Sequence, residues 1–273
     1  MNFCLIGYPL GHSMSPFIHK NLFSLSGKNA DYVNIEIPPE QLTEKVKQLD
    51  VFGFNVTIPH KTAVIPLLDR LEGKAKVLKT VNTVKIENGK MIGYNTDCDG
   101  FLKSLELAGI ELCGNVIICG AGGTARMMCY LAAEKGCNIT LCVRPSGVER
   151  ANNLKNEVCS VYPANIKIND FDSSYDLLLN ATPAGMYPNN IGLLPCDKAI
   201  VDSAKAVFDA VYNPRSTKLI ETALANGSKV AYGMPMLVYQ AAKAHEIWYG
   251  ATFNNDDLFQ IIDKTNSELE RMN

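Results

Sequence analysis

The run Val116-Ile117-Ile118-Cys119-Gly120-Ala121-Gly122-Gly123-Thr124-Ala125 constrains the fold more than any other stretch, because an apolar strand ends there in G-x-G-x-x-A and leads into a helix. The glycines remove the side chains that would block close approach, so the backbone can lie against a pyrophosphate. The amides of the following helical turn then point at the anion. Chance loops share the pattern, and context decides between them. Here the apolar strand precedes it, and a helical pattern from Thr124 to Lys135, closed by Gly136, follows. Gly120, Ala121, Gly122, Gly123, Thr124 and Ala125 are therefore candidate cofactor-binding residues.

The next apolar stretch, Asn138 to Val143, ends where such folds separate a free ribose hydroxyl from a 2′-phosphate. An Asp or Glu about 20 residues after the glycines would accept bonds from the hydroxyl and repel the phosphate. This chain has Val143-Arg144-Pro145-Ser146 instead, with Arg144 placed 24 positions after Gly120. Its planar cationic fork suits a phosphate, which predicts NADP(H) in preference to NAD(H). The alternative is a solvated charge at a strand end.

At 273 residues the chain is just past the size at which one core stops growing, so two domains are expected. A net charge of -2, from 26 basic and 28 acidic residues, gives no overall attraction to nucleic acid or to an anionic membrane. The nine cysteines are odd in number and contain no C-x-x-C pair, which argues against a disulfide framework and a zinc site. His12, His19, His60 and His245 form no ligand cluster, so no metal is expected. Most of the cysteines, Cys119, Cys129 and Cys142 among them, sit in apolar runs as small hydrophobes, and a reducing cytoplasm follows. The first apolar stretch lacks a basic start and is cut by Gly7, Pro9 and Gly11, which fits neither a signal peptide nor a membrane span.

Short apolar strands alternate with helical patterns along the first hundred residues: Phe3 to Gly7, a helix near Ser15 to Ser26, Asp31 to Ile37, a helix near Pro39 to Leu49, and Phe54 to Thr57. Thr83 to Ile86 and Met91 to Tyr94 flank Glu87-Asn88-Gly89-Lys90, an Asn-Gly hairpin signal that predicts an antiparallel edge to the first sheet. A second alternation begins at Gly114, with strands expected near 115–119, 138–143, 164–168, 176–180 and 198–202. Helical stretches from Met234 to Tyr249 and from Asn255 to Arg271 close the chain; they are expected to return to the first domain, making it discontinuous, although pattern alone would let C-terminal helices cap either unit. The fold class is thus α/β, with two α/β domains. An N-terminal substrate domain with a mostly parallel sheet takes residues 1–102 and 238–273, and a Rossmann-like NADP-binding domain takes 103–237.

Open α/β sheets place ligands in loops after their strands, and three such loops carry chemistry. Gly7 to Pro16 offers Ser13 and Ser15, two hydroxyls that could bind a small polar ligand, while Ser15 could equally cap the helix that Pro16 opens. In Asn55-Val56-Thr57-Ile58-Pro59-His60-Lys61, Pro59 fixes a turn that holds Lys61, although an exposed lysine is also an ordinary solvated group. In Tyr94-Asn95-Thr96-Asp97, Asp97 is a carboxylate at a helix start, where capping is the plainer role. A Lys and an Asp from separate strand ends make a proton-transfer pair in principle.

Taken together, G-x-P-x-x-H-S-x-S-P at 7–16, N-V-T-x-P-x-K at 55–61, V-N-T at 81–83, N-T-D at 95–97, G-A-G-G at 120–123, N-A-T-P-x-G-M at 180–186 and M-L-V-x-Q-A at 236–241 resemble the shikimate dehydrogenase family, in order over nearly the whole chain. The resemblance implies reversible NADP-dependent reduction of 3-dehydroshikimate to shikimate in aromatic amino-acid biosynthesis. It implies Lys61 and Asp97 as the catalytic pair, and Ser13 and Ser15 at the substrate carboxylate. Thr57, Asn82, Asn95 and Gln240 would meet the substrate hydroxyls, Tyr212 would lie near the carboxylate, and Gly233 would be a further cofactor contact. The Ser-x-Ser form resembles shikimate-preferring members more than quinate-preferring ones.

Two departures stand out. Val143-Arg144-Pro145 replaces a common Asn-Arg-Thr, so the arginine stays while a polar neighbour is lost, and Lys79-Thr80 replaces a common Gly-Ala before V-N-T. The competing readings are a related dehydrogenase with broader use of quinate or NAD, and a catalytically silent NADP-binding regulator. No basic stripe or appended nucleic-acid segment supports a repressor. The expected partner is a small-molecule substrate, with monomer and homodimer both open.

Overall fold

The computed structural model describes residues 2–11 and 13–272, so His12 lies outside the described residues. The chain divides into two compact units, one running to Gly100 and resuming at Leu237, the other spanning Phe101–Met236. Each unit is built on a six-stranded sheet.

The strands of the first unit are β1 Asn2–Gly7, β2 Asp31–Glu36, β3 Gly53–Val56, β4 Arg70–Leu71, β5 Thr83–Glu87 and β6 Lys90–Tyr94. Their order is β2-β1-β3-β5-β6-β4. β1 pairs in parallel with β2 and β3, and β5 runs antiparallel to both β3 and β6. The hairpin between β5 and β6 turns through Asn88 and Gly89, both at positive φ (51° and 74°), the geometry that Asn-Gly favours. That hairpin is not the edge, contrary to the pattern reading. β4 pairs in parallel with β6 outside it, and a two-residue strand is too short to leave a periodic signal.

Alternation along β1 sends Cys4 and Ile6 into one core, with Phe54, Val56 and Val84, and Phe3 and Leu5 into another, with Phe23, Tyr32 and Trp248. The second core is where the C-terminal segment returns. Trp248 Nε1, on the helix Gly233–Tyr249, donates to Val84 O at 2.9 Å. A Cβ at Gly53 would run into that indole and come within 2.8 Å of Val84 O, so only glycine lets the ring lie on the sheet. Beside it His19 Nδ1 and His245 Nε2 share a hydrogen bond of 2.8 Å, and the His19 ring stacks on Tyr32 with centroids 3.9 Å apart.

Burial holds this imidazole pair neutral, with the pKa of His245 pushed down to about 3 and that of His19 lowered well below its usual value. The unfolded chain takes up those protons below about pH 6.5 while the fold does not, so stability falls as the solution is acidified. For His245 alone the loss between pH 7 and pH 5 is about 2 kcal/mol. Urea unfolding midpoints at the two pH values check this, and His245→Gln should flatten the dependence.

The Lys79-Thr80 departure has a physical reading here. Lys79 caps the helix Ala75–Leu78 in the left-handed region with φ 52°, where glycine is the favoured residue, while the Thr80 hydroxyl accepts a hydrogen bond from Asn95 Nδ2 at 2.9 Å. Lys79→Gly is accordingly expected to stabilise the protein by about 0.5 to 1 kcal/mol, read as a higher urea midpoint at unchanged slope.

In the second unit β7 Asn115–Cys119, β8 Asn138–Cys142, β9 Asn165–Ile168, β10 Leu177–Asn180, β11 Ala206–Asp209 and β12 Lys229–Ala231 are all parallel, in the order β12-β11-β10-β7-β8-β9. This is the doubly wound order, and its direction reverses between β7 and β10, where such sheets hold ligands. One expected strand is corrected: residues Lys198–Asp202 form a short helix, and β11 follows it. Lys198 and Asp202, one turn apart, pair at 2.6 Å, while Val201 is fully buried beside Val207 and Leu178. The apolar run Ala199-Ile200-Val201 fits helix and strand alike at that length. Among the described residues, no helix is long and apolar enough to cross a membrane.

Candidate active site

Sheet register explains why three separate motifs converge in the first unit. Asn55 on β3 is the direct partner of Thr83 on β5, and Thr83 is the partner of Tyr94 on β6. The segment that follows β3, the residue before β5 and the residues after β6 therefore leave the sheet at the same end. These carry Lys61, Asn82 and Asn95 to Asp97 respectively.

Lys61 lies on the short helix His60–Ala63, fixed from two sides. The buried His60 ring meets Ile37 O through Nε2 at 2.6 Å, and the Lys61 carbonyl accepts from Val81 N at 2.8 Å. From that position Lys61 Nζ donates to Asp97 Oδ2 at 2.6 Å. The lysine and aspartate side chains are 27% and 19% exposed, so the pair is sheltered yet open to a small molecule. Asp97 opens the helix Asp97–Leu107, whose N-terminal dipole favours a carboxylate. Its other oxygen, Oδ1, is held by Asn82 Nδ2 at 2.8 Å.

Asn82 is the centre of the arrangement. Its Nδ2 also lies 2.9 Å from Thr96 Oγ1 and 3.3 Å from Gln240 Oε1, and its Oδ1 accepts from Thr96 N at 2.7 Å. Gln240 reaches this point from the returning helix Gly233–Tyr249, its own Nε2 donating to Leu237 O at 2.9 Å. Lys61 and Asp97, expected as a pair, thus form one bonded group with Asn82 and Gln240, two of the four residues expected at the substrate hydroxyls.

A second tier supports it that motif reading left out. Tyr32, buried on β2, donates to Asn55 Oδ1 at 2.7 Å, and Asn55 Nδ2 donates to Thr83 Oγ1 at 2.9 Å and Asn82 O at 3.1 Å. Asn55 opens N-V-T-x-P-x-K at 55–61 and Thr83 ends V-N-T at 81–83. Tyr32 had no signal beyond a lone aromatic on an alternating strand.

The remaining candidates in this unit sit apart from the bonded group. Ser13 Oγ donates to Ser15 Oγ at 3.2 Å and accepts from Ser15 N at 3.3 Å. Ser15 is the first residue of the helix Ser15–Leu25 and not its cap, because Met14 holds that place without a side-chain bond. Asn95 is buried, donating to Thr80 and accepting from Cys98 Sγ at 3.7 Å. The Thr57 side chain makes no hydrogen bond with the described residues, and its carbonyl accepts from His60 N at 2.9 Å.

In the second unit, Gly120 follows β7 at φ 108°, where a Cβ would sit 3.1 Å from Thr182 Cγ2 and 3.3 Å from Ala181 O. Beyond Gly122 and Gly123, by contrast, a Cβ would enter open space. The helix Gly123–Glu134 starts at Gly122 without a side-chain cap, leaving its first amides to an outside acceptor. β8 is the neighbour of β7 with Cys142 opposite Cys119, so Arg144 leaves the sheet at the same end. Its guanidinium is exposed and makes no hydrogen bond or ion pair with the described residues. Uncapped amides, room before two glycines and an unpaired guanidinium fit a dinucleotide that carries an added phosphate.

The far side of this turn is braced by Asp209 and Thr217, which no motif marks, together with Asn180 and Thr182 of the N-A-T-P motif. Asp209, buried at the end of β11, accepts from Thr217 Oγ1 at 2.5 Å, Asn180 Nδ2 at 2.9 Å and Val211 N at 3.0 Å, and burial raises its pKa. Asn180 Oδ1 accepts from Thr182 Oγ1 at 2.7 Å, which fixes the N-A-T-P loop against Gly120. Gly233 opens its helix where a Cβ would come within 3.0 Å of Asp209 O, so its small size serves packing against β11. Tyr212 belongs to this second unit, and burial raises the pKa of its hydroxyl.

A family model described as the shikimate dehydrogenase substrate binding domain matches residues 5–84. The NADP(+) shikimate dehydrogenase of Methanococcus maripaludis strain C7 is 38% identical over 276 aligned residues, covering 97% of this chain and 96% of that protein. A crystal structure of a shikimate dehydrogenase in complex with NADP+ superposes with a TM-score of 0.87 at 36% identity, covering 96% of this chain and 94% of the other. The Thermus thermophilus shikimate 5-dehydrogenase, in complex with NADP(H) and shikimate, superposes with a TM-score of 0.85 at 29% identity, covering 97% and 99%.

Proposed function

The chain belongs to the shikimate dehydrogenase family, and from that premise we propose that Lys61 and Asp97 are the pair that moves the proton in its reaction. The activity is the reversible NADP-dependent reduction of 3-dehydroshikimate to shikimate, a step of aromatic amino-acid biosynthesis. The observation that carries the catalytic assignment is the Lys61 ammonium held at 2.6 Å on a carboxylate whose other oxygen is bonded to Asn82.

NADPH, when bound, supplies a hydride to C3 of the substrate, and Gly120, Ala121, Gly122, Gly123, Thr124, Ala125, Arg144 and Gly233 are the residues we assign to holding it. Lys61 donates a proton to the C3 oxygen as that oxygen gains charge, and takes one back in the oxidation direction. Asp97 orients the ammonium, and Asn82 with Gln240 orients Asp97, so the donor is held in place before the substrate arrives. Ser13 and Ser15, with Tyr212, are assigned to the substrate carboxylate; Thr57, Asn82, Asn95 and Gln240 are assigned to its hydroxyls. All nine cysteines are free thiols, which fits a reducing compartment such as the cytoplasm.

The direct test follows absorbance of the reduced nicotinamide with shikimate or quinate as donor and NADP+ or NAD+ as acceptor. Shikimate with NADP+ is expected to give the highest kcat/KM. Equal values for quinate would support a broader dehydrogenase, and no turnover with any pair would support a silent nucleotide-binding protein.

A further inference from the structure

Three of the nine cysteines meet at one point of the second unit. Cys119 ends β7 as the direct partner of Cys142 on β8, and Cys142 and Cys196 both pack against it. Cys119 is buried, whereas Cys142 and Cys196 are partly exposed. The position matters because Gly120 follows Cys119 directly, its amide donates to Cys142 O at 2.8 Å, and Arg144 stands two residues beyond Cys142. Among the described residues, no group of three or more His, Cys, Asp or Glu side chains is placed to hold a metal ion, so this cluster is not a metal centre.

We propose that Cys142 and Cys119 form a peroxide-sensitive dithiol, a modification site whose oxidation disturbs the seat of the dinucleotide. Direct partners on neighbouring strands lie about 4.8 Å apart, inside the range of about 4.4 to 6.8 Å between Cα atoms that a disulfide spans. The half-exposed Cys142 is the attacking sulfur. Its pKa is lowered by the hydrogen bond from Cys119, while the buried Cys119 is held protonated as that donor. The Cys142 thiolate attacks one oxygen of hydrogen peroxide, breaking the O–O bond and releasing hydroxide, which leaves as water with the proton Cys142 gave up. Cys119 then attacks the resulting sulfenic sulfur and loses its proton, and the expelled hydroxide takes that proton as a second water. Two thiols and one peroxide thus give one disulfide and two waters.

A disulfide draws its Cβ atoms to about 3.8 Å, roughly 1 Å closer than the strand spacing. The link therefore sets strain on the side chains and on the two strand ends that carry Gly120 and Arg144. Hydrogen bonds weaken once donor and acceptor leave their usual range of about 2.7 to 3.2 Å, so moving the amides of this turn relative to a bound pyrophosphate is expected to weaken binding about tenfold. The effect on NADPH rests on the assignment of this turn to the cofactor, while formation of the link does not.

The full-length protein is treated with hydrogen peroxide, alkylated and mapped by mass spectrometry, and NADPH affinity is measured by fluorescence before and after dithiothreitol. Expected are a Cys119–Cys142 linked peptide and NADPH binding weakened about tenfold, both reversed by dithiothreitol. Both effects should be absent in Cys142→Ser and Cys142→Ala and retained in Cys159→Ser. A link through Cys196, no link at all, or weakened binding that persists in both Cys142 variants overturns the proposal. A link that leaves NADPH affinity unchanged also overturns it, and Arg144→Ala measured in parallel shows whether the cofactor assignment itself has failed.

Discussion

Lys61→Ala is expected to lower kcat by about 10² to 10⁴ while the affinities for shikimate and NADPH stay close to those of the parent protein. The size follows from the role proposed for the side chain. Proton transfer to the C3 oxygen matters only as charge develops there, so its loss falls on the transition state and not on ground-state binding. The fold should survive, since the anchors of this segment are the His60 ring and the Lys61 backbone, both retained in alanine. Lys61→Ala/Asp97→Ala should cost little more than Lys61→Ala alone, because the carboxylate acts through the ammonium it holds at 2.6 Å. Steady-state kinetics and calorimetric titrations on the same preparations check both statements. A large rise in KM with kcat unchanged would make Lys61 a binding residue.

Arg144→Ala is expected to weaken NADP+ binding by about 1.5 to 3 kcal/mol, roughly 10- to 150-fold, and to leave NAD+ binding nearly unchanged. The guanidinium is exposed and unpaired among the described residues, so its removal breaks no structural bond and the whole effect is assigned to the 2′-phosphate. Val143 and Pro145 offer no hydroxyl or amide side chain beside it, so under the proposed assignment Arg144 carries the discrimination with little help. Paired fluorescence titrations of the two nucleotides read it. Equal losses for both would place the arginine elsewhere than at the added phosphate.

What the sequence made legible, and what it did not, has physical causes. The glycine turn was readable because an uncapped helix start after a buried strand needs a fixed spacing of small residues, and the Asn-Gly turn because both of its central residues require positive φ. Lys61, Asp97, Asn82 and Gln240 were readable through motif likeness, yet their meeting depends on the register Asn55 to Thr83 to Tyr94, which a single sequence does not encode locally. Tyr32 and Asp209 were missed for the same reason. Each is a single polar group whose role exists only once distant strands pair. In sequence the stretch Lys198–Asp202 fits strand and helix alike, because five residues with an apolar centre satisfy either period. The ion pair across its turn and the burial of Val201 decide the matter in three dimensions.

The most direct measurement is a crystal structure of this chain with shikimate and NADP+ bound together. Lys61 Nζ is expected within about 2.6 to 3.2 Å of the C3 oxygen, still paired to Asp97, with the 2′-phosphate on the Arg144 guanidinium. A substrate whose C3 oxygen lies out of reach of Lys61, with another side chain at that distance instead, would contradict the account.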